Sequence, residues 1–368
     1  LMLFSGASAD EVTAAAKASL AALDETMLSA LARKLQSEFD STQQYRLSVL
    51  VEDNDSAKER IEQAVEKIND SSAEPFSLPN CIHYGIGSEK PKLGYLFPGQ
   101  GSQYVNMGAD LACEFDEARR AWDTASTIEL DSEQRLDQVV FPIPVFSKED
   151  SAAQTDLLTS TQWAQPAIGC ASLSMLNLLD TLAVKPDAVA GHSYGEVSAL
   201  HAAGVLSSAE SLLKVSRRRG ELMFQAASVP GSMTAVRASR QEVQGYLDQI
   251  DCKVTIANIN SPTQVVIAGE TTEIEKAEPQ LKELGCSFRR LPVATAFHTD
   301  VVSASAEPFH EFLSEIDIDE ATVPVYSNTT ASLYPTDPAE VRKTLAWQLA
   351  RPVQFQESIE KMHDDGIR

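Results

Sequence analysis

No two of the five cysteines, Cys81, Cys113, Cys170, Cys252 and Cys286, stand at the spacing of a zinc site, and they are too sparse for a disulfide scaffold. Single, scattered thiols suit a reducing compartment, and the cytoplasm is the expected location. No apolar run reaches the length of a bilayer span, and the first residues lack a basic segment followed by an apolar one, so the residues present indicate neither a transmembrane helix nor a signal peptide. Positive charge is also short. The formal net charge of −23 would repel nucleic-acid phosphates across most of the surface. What remains is ordinary for a folded protein: 368 residues with 43% hydrophobic content allow two or three domains and a sizeable core. The apolar opening Leu1-Met2-Leu3-Phe4 and the untapered close from Asp364 to Arg368 read as the ends of a segment cut from a longer polypeptide.

Residues 1–90 alternate element types. A strand over Leu1 to Ser5 precedes an alanine-rich helix, with Asp10 as N-cap and Val12, Leu20, Leu23, Leu28 and Leu31 at helical spacing. Tyr45 to Val51 reads as a strand, Ser56 to Ile68 as a helix and Cys81 to Ile86 as a third strand. This small α/β unit contains no catalytic constellation, and His83 in its apolar run reads as a packed strand residue. The character changes near Lys92. Leu93 to Phe97 is a strand feeding into Pro98-Gly99-Gln100-Gly101-Ser102-Gln103, with a helix expected to open near Tyr104. The loop offers backbone N–H groups to a ligand oxygen, but it lacks the lysine of a phosphate-binding Walker motif. After a break at Pro142 and Pro144, Gln165-Pro166 leads into a helix over Ala167 to Leu182, apolar on nearly every side and so buried.

The strongest local signal is Pro186 to Leu200, PDAVAGHSYGEVSAL. Asp187 to Ala190 fits a buried strand and Glu196 onward a helix, so Gly191-His192-Ser193-Tyr194-Gly195 is a strand-to-helix turn that lifts Ser193 out as a nucleophile elbow. On its own a G-x-S-x-G is equally a glycine turn with a solvated serine. It needs a base and an oxyanion donor from elsewhere in the chain. A helix from Ser208 to Ala226 then carries Arg217-Arg218-Arg219, which fan out around it so that at least one points towards the core or a cleft. From Gly231 the order strand, helix, strand, strand, helix, strand (the last over Phe288 to Pro292) is the βαββαβ ferredoxin-like unit inserted in a larger domain. Its last strand runs into Ala296-Phe297-His298, which places a histidine at the return from the lobe. Of the other histidines, His192 and His201 are explained as turn or helix packing, and His310 and His363 as structural.

In combination FPGQGSQ (97–103), GHSYGE (191–196), the Arg219-Gly220 pair followed by Met223, AFH (296–298) and RPVQF (351–355) resemble the malonyl-CoA:acyl carrier protein transacylase family over roughly residues 92–368. The resemblance implies an α/β fold, with a hydrolase-like acyltransferase core over 91–228 and 296–368 and a ferredoxin-like subdomain over 229–295. Residues 1–90 resemble the linker domain between ketosynthase and acyltransferase in multidomain synthases. The finer likeness is to iterative synthases of the polyunsaturated-fatty-acid or enediyne type.

The resemblance further implies Ser193 as nucleophile and His298 as its base, with the backbone N–H groups of Gln100 and Tyr194 as the oxyanion hole. The main-chain carbonyl of Gln348 would hold the histidine ring, Gln165 would line the acyl pocket, and Phe297 would mark malonyl over methylmalonyl selectivity. An arginine would grip the malonyl carboxylate: alignment on the Arg-Gly pair selects Arg219, and counting from Gly204 without a gap selects Arg218. The family's EVGPG stretch is absent. Malonyl-CoA and a phosphopantetheinylated acyl carrier protein would be the substrates, with no metal or redox cofactor, and a ketosynthase domain of the same polypeptide a further partner. Arg289 and Arg290 are candidates for a basic patch that docks the carrier. The competing expectation is an α/β-hydrolase-type serine thioesterase or esterase, which needs an acid such as Asp248 or Glu270 as a third triad member.

Overall fold

The computed structural model describes residues 1–368 except 73, 88–90, 132–133, 227–229, 292 and 294. The chain divides into two compact units, Leu1–Lys90 and Pro91–Arg368. Residues 90, 228 and 229, at the expected domain boundaries, and Pro292, the expected end of a strand, lie outside the described residues.

The first unit runs β1 (Met2–Gly6), α1 (Ala9–Ala22), α2 (Leu28–Glu38), β2 (Tyr45–Val49), α3 (Asn54–Asp70), β3 (Phe76–Leu78) and β4 (Ile82–Ile86). Its strands form one antiparallel sheet in the order β1-β2-β4-β3. Alternate residues of β1, Met2 and Phe4, pack with Val12 and Ala16 of α1 and Ile61, Val65 and Ile68 of α3. Three details differ from the sequence reading. The single alanine-rich helix is two helices. Ser8, not Asp10, caps α1 by accepting from the N–H of Glu11 at 3.2 Å. A short strand, β3, precedes β4.

The second unit continues with β5 (Gly94–Phe97), α4 (Ala109–Glu114), α5 (Asp116–Thr127), α6 (Leu136–Val140), α7 (Lys148–Thr159), α8 (Thr161–Thr181), β6 (Ala188–Gly191), α9 (Gly195–Ala202), α10 (Ala209–Ala226), β7 (Gly231–Val236), α11 (Arg240–Leu247), β8 (Val254–Ser261), β9 (Gln264–Glu270), α12 (Thr271–Glu283), β10 (Phe288–Arg290), α13 (Ala306–Leu313), β11 (Val325–Ser327), β12 (Ser332–Leu333), α14 (Pro338–Trp347), β13 (Val353–Gln354) and α15 (Phe355–Asp364). Tyr104 lies in an irregular stretch before the turns at 105–108 rather than in a helix, which begins only at Ala109. Helix α8 starts six residues before the expected Ala167, with Pro166 inside it, so that Gln165 projects from a helix instead of a loop.

Among the described residues this unit has two sheets. One has the order β12-β11-β6-β5, with β5, β6 and β11 parallel. Beside it lies a core that includes Trp122, Trp163, Leu200, Leu213, Phe309 and Leu345. The other has the order β10-β7-β9-β8-β13. Its first four strands are the antiparallel ferredoxin-like set, with α11 and α12 covering a core of Val236, Val243, Ile267, Ile274 and Leu281. The fifth, β13, comes from the RPVQF stretch and pairs parallel with β8, an addition that the sequence reading did not contain.

Candidate active site

Strand β6 is buried along its whole length and delivers the chain to Ser193, whose φ of 50° is left-handed and so strained for a residue with a side chain. The bend is tight. A Cβ on Gly191 would lie 1.9 Å from the carbonyl carbon of Gly195, and one on Gly195 would lie 2.1 Å from the carbonyl oxygen of Phe97 at the end of β5. Only glycine lets these three segments meet. Among the described residues, no acceptor is bonded to the main-chain N–H of Tyr194, at the mouth of α9, or of Gln100, in the loop after β5.

Ser193 Oγ lies 2.7 Å from His298 Nε2. His298 Nδ1 lies 3.0 Å from the carbonyl oxygen of Gln348 and 3.1 Å from that of Arg351. Carbonyls only accept, so Nδ1 carries the ring proton and Nε2 presents its lone pair to the serine hydroxyl. Burial, and then the positive charge of Arg219, push the imidazole down to about 3, which keeps it neutral and able to take a proton at physiological pH. Asp248 and Glu270, the acids a triad would need, are exposed at the ends of α11 and β9 and do not reach this ring.

Behind the serine lies a buried polar network with no counterpart in the sequence reading. Asn328, one residue after β11, accepts from the N–H of Ser193 and donates to the carbonyl of Gly191, both at 2.7 Å. Glu196 accepts from the N–H of Asn328 at 2.7 Å and from the hydroxyl of Tyr334. Burial raises the Glu196 carboxyl to about 7. The Gln348 side chain donates to the carbonyl of Ser193 at 2.7 Å and accepts from Arg219 Nη2 at 2.8 Å.

Arg219 is fully buried on α10, on the same stripe as Leu212, Val215 and Met223. Nη1 donates to Gln165 Oε1 at 3.0 Å and to the Met223 sulfur at 3.2 Å, while Nε has no partner among the described residues. Burial lowers its pKa to about 10, still charged at neutral pH. With Ser193, His298, Gln100 and Phe297 it lines a cavity of about 440 Å³, whose apolar wall is Met223, Met233, Val266, Leu291 and Val293. His192, Asn258, Asn260 and Arg289 add polar groups.

The acyl transferase domain family profile matches residues 94–368. The chain belongs to the acyl transferase domain family. Among relatives, the malonyl CoA-acyl carrier protein transacylase of Bacillus subtilis (strain 168) is 37% identical over 286 residues, 75% of this chain and 84% of that protein. The polyketide biosynthesis protein ThaF of Burkholderia thailandensis is 33% identical over 82% of this chain, a match that spans only 24% of ThaF. The crystal structure of the acyltransferase domain from the second module of the salinomycin polyketide synthase superimposes on 100% of this chain, covering 82% of its own, with a TM-score of 0.70 and 28% identity.

Within this acyl transferase domain, Ser193, His298, Gln100, Arg219 and Phe297 share one cavity. Gln165 and Gln348 stand behind it as partners of Arg219, and Gln348 contributes both its carbonyl to the base and its side chain to the elbow. Tyr194 brings only its backbone: the ring is buried in the core, with its hydroxyl 2.7 Å from Ser216 Oγ. Arg218 is a correction. One residue along a helix is a rotation of about 100°, which turns it away from the cavity into a surface pairing with Glu221 at 3.7 Å. Arg217 also serves structure, bridging Asp131 and Glu221 over the face of Trp163. Arg289 and Arg290 separate likewise: Arg290 is neutralised by Glu278 and Glu275, while Arg289 faces the cavity. His192 does more than pack, since it lines the cavity with Nε2 2.8 Å from Asn260 Oδ1.

Proposed function

We propose that the chain transfers a malonyl group from malonyl-CoA, through an ester on Ser193, to the phosphopantetheine thiol of an acyl carrier protein. One observation carries the choice of acyl group: a buried, charged guanidinium opens onto the cavity that holds the Ser193–His298 pair. A guanidinium has five N–H donors. Among the described residues two Nη1 bonds and one Nη2 bond are made, which leaves Nε–H and one Nη2–H for an anion. An acyl chain ending in a carboxylate supplies that anion, and an uncharged one does not.

In the first half-reaction Ser193 Oγ attacks the thioester carbonyl as His298 Nε2 takes its proton. The N–H groups of Gln100 and Tyr194 receive the developing oxyanion, and CoA leaves as the thiol. In the second, the carrier's thiol gives its proton to His298 and attacks the ester; the Oγ–acyl bond breaks, and Ser193 Oγ takes the proton back from His298. As proposed, neither step uses a metal or redox cofactor. Two carbonyls at Nδ1 do what a triad acid does for tautomer and orientation, without a negative charge. Among the described residues no carboxylate bonds to Nδ1 of His298, which disfavours the thioesterase reading and its triad acid.

We further propose that residues 1–90 are the linker that follows a ketosynthase in one cytoplasmic polypeptide, a multidomain iterative synthase of the polyketide or polyunsaturated-fatty-acid type. The salinomycin acyltransferase domain covers the whole chain, whereas the Bacillus transacylase matches 75% of it. The proposed division of the second unit is the core over 91–228 and 296–368 and the lobe over 229–295. Mass spectrometry after mixing with malonyl-CoA tests the activity. A stable malonyl adduct on Ser193, lost in Ser193→Ala, is expected; rapid release of free malonate without an adduct would point to a hydrolase. A folded protein lacking residues 1–90 should still form the adduct.

A further inference from the structure

We propose that Asn328, held in place by Glu196 and Tyr334, is a positioning residue that fixes the main chain of Ser193 in its reactive turn. The inference rests on Ser193 being the nucleophile, and it is independent of which acyl group the serine receives.

The bend is left-handed at a residue that bears a side chain, a conformation that persists only where its surroundings enforce it. Two groups enforce it. The Asn328 carboxamide reaches across the bend, its oxygen taking the N–H of Ser193 and its NH₂ donating to the carbonyl of Gly191, so that both sides of the turn are tied to one planar group. Gln348 holds the carbonyl of Ser193. In a trans peptide C=O and N–H point in opposite directions, so holding that carbonyl also aims the N–H of Tyr194. Thus Asn328 sets the approach to Ser193 and Gln348 sets the oxyanion donor that follows.

Asn328 is itself fixed from two directions. It follows β11, whose Val325 and Tyr326 register with Val189 and Ala190 of β6, so it stands beside the elbow. Its own N–H is held by Glu196, from the first turn of the helix that the elbow opens, and the second carboxyl oxygen of Glu196 accepts from Tyr334. Asn328 and Glu196 are fully buried, and neither lines the catalytic cavity. A buried network whose groups are all satisfied is rigid, and this one adjoins the nucleophile without touching the space a substrate would fill.

The test separates serine reactivity from acyl recognition by using a small alkyl fluorophosphonate beside malonyl-CoA. The probe needs only a competent serine: an Oγ–P bond forms, fluoride leaves and His298 takes the hydroxyl proton. In Asn328→Ala, labelling per folded molecule should fall roughly a hundredfold, the scale of a misplaced reacting group, and malonyl acylation should fall with it. The Kd of malonyl-CoA, measured on a Ser193→Ala background with and without Asn328→Ala, should not change.

Glu196→Gln keeps an acceptor for the N–H of Asn328 and a donor for Tyr334, so it should lose much less than Glu196→Ala. If Asn328→Ala does not fold, Asn328→Asp retains the acceptor for Ser193 but loses the donor to Gly191, and it should label about tenfold slower. Native labelling in a folded Asn328 variant overturns the proposal, as does a Kd that weakens in step with the labelling. Labelling of the unaltered protein without malonyl acylation would overturn the malonyl reading and leave the clamp standing.

Discussion

Replacing Arg219 by Ala should separate charged from uncharged acyl donors. The variant removes a guanidinium that is fully buried and leaves two amide oxygens, on Gln165 and Gln348, without their donor. For malonyl-CoA it also strands the substrate carboxylate in a cavity whose apolar lining is methionine, valine and leucine. Truncating one partner of a buried, hydrogen-bonded charge pair costs about 2–5 kcal/mol, which at about 1.4 kcal/mol per decade is roughly 30-fold to 5,000-fold in malonyl acylation. Acetyl-CoA has no carboxylate to strand, so its acylation should fall only by the part due to the loosened Gln348. Stopped reactions with both thioesters, quantified by intact-protein mass spectrometry, give the ratio directly. Arg218→Ala serves as the control, because that side chain pairs with Glu221 at the surface and, among the described residues, does not line the cavity. Equal losses for malonyl and acetyl transfer in Arg219→Ala would refute the carboxylate role and reduce Arg219 to a support for Gln348. A selectivity change in Arg218→Ala would mean that the wrong arginine has been assigned.

Because His298 stays neutral down to about 3, single-turnover acylation should hold steady as the pH falls from 7 to 5, and an inflection near 6.5 would contradict the buried imidazole. Between those two pKa values the unfolded chain binds the proton and the folded chain does not, so His298 lowers stability as pH falls through that window. Glu196 has the opposite sign: raised to about 7 from 4.5, its contribution is fully present below 4.5 and is lost as pH rises through 7. Thermal melts of Glu196→Gln against the native protein should therefore lose this pH dependence. Phe297→Ser should open the wall beside the acyl α-carbon and raise methylmalonyl relative to malonyl acylation, read from the two thioesters in competition. Gly169→Ala should slow acylation and lower Tm, because its Cβ would lie 2.3 Å from the Tyr194 hydroxyl and the displaced ring would carry with it the Tyr194 N–H proposed for the oxyanion.

Much of this was legible in the sequence where one element dictates its own geometry. Strand, glycine-flanked serine and helix at 187–203 specify the elbow locally, and alternating strands and helices at 231–290 specify the lobe. The choice between Arg218 and Arg219 was also present as periodicity, since Leu212, Val215, Arg219 and Met223 recur at helical spacing and Arg218 does not fall on that stripe. Asn328, Glu196 and the carbonyl of Arg351 were not legible. Their roles arise when β11 lies beside β6 and β13 beside β8, and pairings between segments more than 90 residues apart leave no local pattern. Pro166 misled because proline was read as a helix start, whereas α8 accommodates it one turn in from its N-terminus.

The few residues from Arg351 to Gln354 join two duties that would otherwise be independent. The carbonyl of Arg351 steadies the ring of His298, and two positions later Val353 registers with Asn258 on the strand that walls the cavity. So short a tether has almost no slack. A change in how β13 pairs with β8 would therefore move the Arg351 carbonyl relative to Nδ1 and leave the ring to the Gln348 carbonyl alone. Proton handling and cleft shape are thus set by one short segment: the β13–β8 pairing that builds the lobe's fifth strand also fixes one of the two carbonyls that hold the base.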